Sequence, residues 1–152
     1  MASFLDQINA FVKKVEKQTT TAQPRIMRKA LNEGAKILKS SVKPLIPVLG
    51  KSTETRQKGT VKNNIRYKTR ISKNRRSGST IVRVMRAKGK RMAAVSDNTK
   101  DRTDPFYWFM LDRGTKKMKG QHFMQQARQN SMATAVAKVR SVYIEEMAKG
   151  MR

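Results

Sequence analysis

The sequence predicts an α+β fold in which a small antiparallel sheet, built on one β-hairpin, packs against long N-terminal and C-terminal helices joined by long loops. Three observations carry this. Apolar residues recur at helical spacing towards both ends of the chain; residues 61–72 and 80–87 are rich in β-formers around a turn-forming connector; and residues 48–60 and 88–103 have no regular period. The 152 residues make about one domain, enough to bury roughly two-thirds of the unfolded surface around one core. The expected division of this single domain, 1–152, is a helical part 3–45, a loop 48–60, a hairpin 61–87, a loop or arm 88–103, and an aromatic segment with a C-terminal helix over 104–148.

The first helix takes Phe4, Leu5, Ile8, Phe11, Val12 and Val15 onto one face, with Ser3 placed to cap it. An amphipathic helix facing the core or an assembly neighbour is the preferred reading over one lying on a membrane. No apolar run approaches the roughly 18 residues that span a bilayer, and the N-terminus lacks the basic flank and cleavage site of a signal peptide, so the chain reads as soluble. Pro24 suits the start of a second helix, in which Ile26, Met27, Ala30, Leu31, Gly34, Ile37, Leu38 and Val42 share a side. Pro44 and Pro47 close it.

Residues 50–59 hold no apolar side chain and read as an exposed, mobile loop. In the first strand, Ile65, Tyr67, Thr69 and Ile71 alternate with Arg66, Lys68 and Arg70, so one sheet face is strongly basic. The second strand draws on Ile81, Val82, Val84 and Met85. Between them Lys73, Arg75 and Arg76 put three positive charges on the hairpin tip. The unpatterned stretch 88–103, which carries Lys88, Lys90 and Arg91, is long enough that a functional role or disorder is expected.

Residues 104–127 gather aromatic side chains in a chain otherwise dominated by Lys and Arg. Asp104 as N-cap, Pro105 in the first turn and Gly114 as a left-handed stop bound a short helix carrying Phe106 to Leu111. Trp108, Phe109 and Phe123 are the expected core, and Asp112, Gly114 and Thr115 the turn between two apolar anchors. A third long helix, 121–147, turns Phe123, Ala127, Ser131, Ala135, Val139, Val142 and Met147 inward.

The chemistry is sparse. The absence of Cys removes disulfides, Cys-based zinc sites and thiol nucleophiles. His122, the one histidine, has no ligand-like neighbour, so no metal site is expected. The close carboxylates, Glu145 with Glu146 and Asp101 with Asp104, read as solvated or capping groups; no nucleophile elbow or phosphate-cradling loop appears. No catalytic residue and no cofactor is expected. The charge is extreme: 35 Lys and Arg against 10 acids, net +25, which calls for an anionic partner to relieve self-repulsion. Arg66, Lys68, Arg70, Arg75, Arg76, Lys88, Lys90 and Arg91 are the candidate contacts, with a polyanion or an acidic protein surface. Aromatic stacking platforms and zinc-finger, basic-zipper or RNP patterns are missing, so any contact with nucleic acid is nonspecific.

The order of parts is similar to a known pattern. A helix with Ala30-Leu31 and Ile37-Leu38 leads through prolines to Gly59-Thr60-Val61-Lys62-Asn63-Asn64-Ile65, a basic hairpin, Tyr107-Trp108-Phe109-Met110-Leu111-Asp112-Arg113-Gly114-Thr115 and His122-Phe123-Met124-Gln125-Gln126-Ala127. Over residues 24–145 this resembles the tail-completion, or head-tail joining, family of tailed bacteriophages. Val61 stands where that family has Leu, Asn64 where it has Ser, Asp112 where it has Glu, and His122 where it has Pro. The resemblance implies an α+β subunit of a neck ring, usually sixfold, without catalytic residues. Its implied partners are the head connector or stopper and the tail tube or terminator proteins. Assembly would take place in the host cytoplasm and the mature location would be the virion neck. A tail-tube terminator and a nonspecific nucleic-acid-binding protein are the alternatives.

Overall fold

The computed structural model describes residues 4–17, 21–97 and 99–151; the Ser3 cap lies outside them. The elements in order are α1 (Phe4–Lys17), α2 (Gln23–Leu45), α3 (Thr60–Asn63), β1 (Ile65–Ile71), β2 (Gly78–Val84), α4 (Trp108–Arg113), β3 (Gly114–Thr115), β4 (Met118–Lys119) and α5 (Phe123–Met151). The fold is α+β, with β1 and β2 forming one antiparallel ribbon and β3 and β4 a second, minimal one.

The long helices α2 and α5 pack together through small residues. Ala30, Gly34 and Ala35 are buried on α2, and Ala127, Ser131 and Ala135 on α5. A Cβ at Gly34 would run into Val139 Cγ2 and lie 3.0 Å from the Ala135 carbonyl oxygen, so the backbones meet at a distance that only glycine permits. The buried Ser131 hydroxyl is satisfied within its own helix, donating to the Ala127 carbonyl at 2.7 Å.

The inner face of the main ribbon lies on α2. Opposed pairs Ile65–Val84, Tyr67–Val82 and Thr69–Thr80 set the register. The Thr69 hydroxyl reaches Asn32 Oδ1 at 2.7 Å, tying ribbon to helix. At the C-terminal end of α2, Val42, Ile46, Val61, Ile65, Val84, Tyr107, Phe123 and Ala127 form the buried core. The core thus joins five stretches that are distant in sequence.

Several boundaries differ from the sequence expectation. Val61 belongs to the helical turn α3 rather than to a strand: Gly59 enters it with φ +76°, and the Asn64 side chain closes it by donating to the Thr60 carbonyl at 2.9 Å. The strands are correspondingly shorter at 65–71 and 78–84. Pro44 sits inside α2 instead of ending it, because a missing N–H so near the C-terminus costs only one late hydrogen bond. Helix α5 starts at Phe123, not 121, since His122 has φ +49°, and the amides of Gln121 and His122 donate to the carbonyls of Leu111 and Asp112. On α1, Ile8, Val12 and Val15 are exposed, so the core-facing half of the reading for that helix does not hold for them.

Candidate functional site

The alternation of β1 places Arg66, Lys68 and Arg70 on the exposed side of the ribbon. The register adds residues from β2 that the sequence left without a face: Arg83 lies opposite Arg66, Ile81 opposite Lys68, and Ser79 opposite Arg70. Arg83 is exposed with them. The Arg66 Nε donates to the Met85 carbonyl at 3.1 Å, which orients its guanidinium. Lys29, Lys36, Arg86 and Lys149 make ion pairs, and none of them belongs to this face.

The ribbon ends in a tight loop carrying Arg75 and Arg76, both exposed. Ser72 donates its amide to the Ser77 carbonyl at 2.8 Å, and Arg75 donates to the Ser72 carbonyl at 3.0 Å. Arg75 itself takes φ +59°, a left-handed position more often filled by Gly or Asn. The Asn74 carboxamide oxygen instead accepts from the Arg76 amide at 3.0 Å.

Lys88, Lys90 and Arg91 are also exposed, on a loop that is folded back on the body. Its anchor is Arg86, whose side chain is 11% exposed and pairs with Asp104, 1% exposed, at 3.0 Å, and with Asp101. Asp104 also accepts the amides of Ala93 at 2.9 Å and Phe106 at 3.0 Å. Asp104 is therefore not a helix cap, since α4 begins only at Trp108; it is the buried acceptor that holds three segments together. The Thr103 hydroxyl and amide, then Arg86, hold the Asp101 carboxyl down to about 2.

The loop before α3 joins the same body. Gln57 donates its amide to the Arg102 carbonyl at 3.0 Å, and the Thr60 hydroxyl reaches the same oxygen at 3.2 Å. The Arg56 guanidinium stacks 4.3 Å from the centre of the Tyr107 ring, and burial pushes the Tyr107 phenol up. The stretch read as mobile is thus pinned at its C-terminal half, through backbone bonds that composition does not reveal.

In the aromatic segment Tyr107 is the buried ring, and Phe123 is fully buried beside it. Trp108 packs on the core from its edge, and Phe109 is also half-buried. Trp108 lies at the rim because α4 starts there and the preceding Tyr107 turns inward. Gly114 has φ +88° and ψ −179°, so its positive φ is extended and not the left-handed helical conformation. It pairs with Lys119 across β3 and β4, with Thr115 opposite Met118. Asp112 makes a contact that sequence reading missed: its Oδ1 accepts the Met124 amide at 3.1 Å, capping the first turn of α5 from outside the helix.

The molecule therefore presents cations on a ribbon face, a hairpin tip and a pinned loop, and its buried polar groups serve packing. Among the described residues no group of His, Asp or Glu could hold a metal ion, and no helix is long and apolar enough to cross a membrane. Comparison with curated proteins and with solved structures gives no match. A family described as "Bacteriophage HK97-gp10, putative tail-component" matches residues 6–108. That span takes in α1, α2, the ribbon and both loops, and stops before the Gly114-Thr115 turn and the start of α5 on which part of the resemblance was drawn. By this match over about two-thirds of its length, the chain belongs to the HK97 gp10-like tail-component family of bacteriophages, structural proteins of the virion tail.

Proposed function

We propose that the chain is a ring-forming subunit of the phage neck, a tail-completion or adaptor protein that joins the connector of the DNA-filled head to the tail. The observation that carries this reading is the pairing of tail-component family membership with charge displayed on preformed, exposed structure. Among the described residues, each strand of the two-stranded ribbon keeps one unpaired edge, which a neighbouring subunit in a closed ring can cover. The loops 48–60 and 88–103 are cross-tied through Gln57 and Arg102, so they reach a neighbour as one unit. The ring is a hexamer matching the tail, and its acidic partners are connector and tail-tube surfaces. Its work is positional and not catalytic.

Charge reversal tests this. Arg75→Glu with Arg76→Glu, or Lys88→Glu with Lys90→Glu and Arg91→Glu, should leave the subunit folded, since all five side chains are exposed. Lysates should then show filled heads and free tails side by side by electron microscopy. Joined, infectious particles from both variants would refute the role of these residues in assembly.

A further inference from the structure

We infer that the outer face of the β1–β2 ribbon is a duplex-DNA contact surface that engages phosphates and not base sequence, through Arg66, Lys68, Arg70 and Arg83. Naming the duplex as the phage genome in the neck rests on the function proposed above; the preference of the face for phosphate does not.

The charge distribution comes first. Between Glu54 and Asp97 the sequence holds 14 Lys and Arg and no acid. The ribbon lies wholly within that stretch, and Glu33, Asp101, Asp104, Glu145 and Glu146 pair with cations outside its outer face. Second, Arg66 and Arg83 are direct partners across the ladder. Opposed side chains in an antiparallel pair sit about 5 Å apart at Cβ, where like charges destabilise the sheet. A phosphate oxygen between two guanidiniums turns that repulsion into charge-assisted hydrogen bonds. Third, the spacing is regular: Arg66, Lys68 and Arg70 follow one another at about 6.8 Å along β1, on a ribbon only two strands wide.

The same face argues against the two other partners. A single strand needs aromatic platforms, and Tyr67, the one aromatic of the ribbon, belongs to the side turned to α2, with Lys39 Nζ 6.0 Å from its ring centre. A protein interface gathers apolar or aromatic anchors at its centre and depletes charge there. Here the centre is charged, and Ile81 is its one large apolar side chain. Interfaces with DNA are far more positive than those between proteins.

The experiment is a salt titration of binding to a labelled random-sequence duplex, using the full chain. The ribbon variant Lys68→Gln/Arg70→Gln/Arg83→Gln is compared with Arg128→Gln/Lys138→Gln/Arg140→Gln, which removes the same charge from exposed positions on α5. For the ribbon variant, the slope of log affinity against log salt should fall by about 2.7, at about 0.9 per lost phosphate contact. Its affinity at low salt should drop at least roughly tenfold, while the α5 variant keeps the wild-type slope. The single variant Arg83→Gln should raise the urea midpoint, because it relieves the pair with Arg66.

Equal losses in both triple variants would show that net charge alone binds, and would overturn the assignment. So would displacement of the duplex by polyglutamate at equal charge concentration, which would identify an acidic protein partner. Lysates carrying the ribbon variant separate this inference from the neck reading. Unjoined particles with DNA binding intact overturn the DNA surface alone; joined, infectious particles with DNA binding lost support the DNA surface and count against its use in the neck.

Discussion

Asp104 is the side chain on which the loop architecture depends most, and its removal gives the sharpest test of the packing. The carboxylate is 1% exposed and pairs with an Arg86 that is itself 11% exposed, while two backbone amides, from Ala93 and Phe106, end on its oxygens. Asp104→Ala leaves Arg86 with Asp101 and the Arg91 carbonyl and strips both amides of their acceptor. Deleting one partner of a buried ion pair costs about 3–5 kcal/mol, and an unsatisfied buried amide about 1–3 kcal/mol. These losses share one site and do not add. Because Asp101 remains and the loop can admit water, the lower part of the range applies, about 3–4 kcal/mol. For a chain of this size that is a fall in Tm of roughly 6–16 °C. Urea and thermal melts followed by the fluorescence of the single tryptophan, Trp108, measure it. Asp104→Asn, which keeps an acceptor of the same shape, should lose about half as much, roughly 1.5–2 kcal/mol. Arg86→Met combined with Asp104→Leu should recover part of the loss, because an apolar pair needs no desolvation of charge. A value for Asp104→Ala within about 0.5 kcal/mol of wild type would refute the claim that this carboxylate holds the 88–103 loop to the body.

Three further outcomes are expected. Phe123→Ala should cost about 3–5 kcal/mol and Trp108→Ala clearly less, since the first ring is fully buried and the second packs at the edge; the reverse order in urea melts would mean that the rim and the core have been exchanged. Gly114→Val should destabilise far more than Thr115→Ala, because a Cβ at Gly114 would lie 2.6 Å from the Gly120 nitrogen and 2.7 Å from the Met118 oxygen at φ +88°; equal effects would contradict the extended positive-φ conformation. Asp101, held to about 2 against 3.8 for the free group, contributes stability that is fully present above pH 3.8 and is lost as pH falls through 2; Thr103→Val should therefore lower stability at neutral pH and have little effect near pH 2, and a pH-independent effect would show that Thr103 acts by packing alone.

What the sequence disclosed follows the range of the interactions involved. Helices α2 and α5 are legible because their inward residues recur every three or four positions, and the basic face of β1 because side chains alternate with period two. Arg83 escaped because β2 is apolar at several successive positions, so only pairing with β1 decides which side it takes. The four-residue α3 has no period to detect, and its capping by Asn64 is a matter of local geometry. Arg86 and Asp104 are 18 residues apart, and Asp112 caps a helix 12 residues on; nothing in the local pattern marks such partners. At Gly114 the residue type gave the sign of φ, but ψ is set by pairing with Lys119. Which aromatic of 106–109 turns inward depended on a helix start that moved from Pro105 to Trp108.

The most direct test of the proposed role is cryo-electron microscopy of intact virions, with this chain fitted into the density. The expected result is a closed ring of six copies at the junction of head and tail, with the β1–β2 ribbon turned towards the DNA channel. Density for the chain in the capsid shell or at the distal end of the tail, with none at the neck, would contradict it.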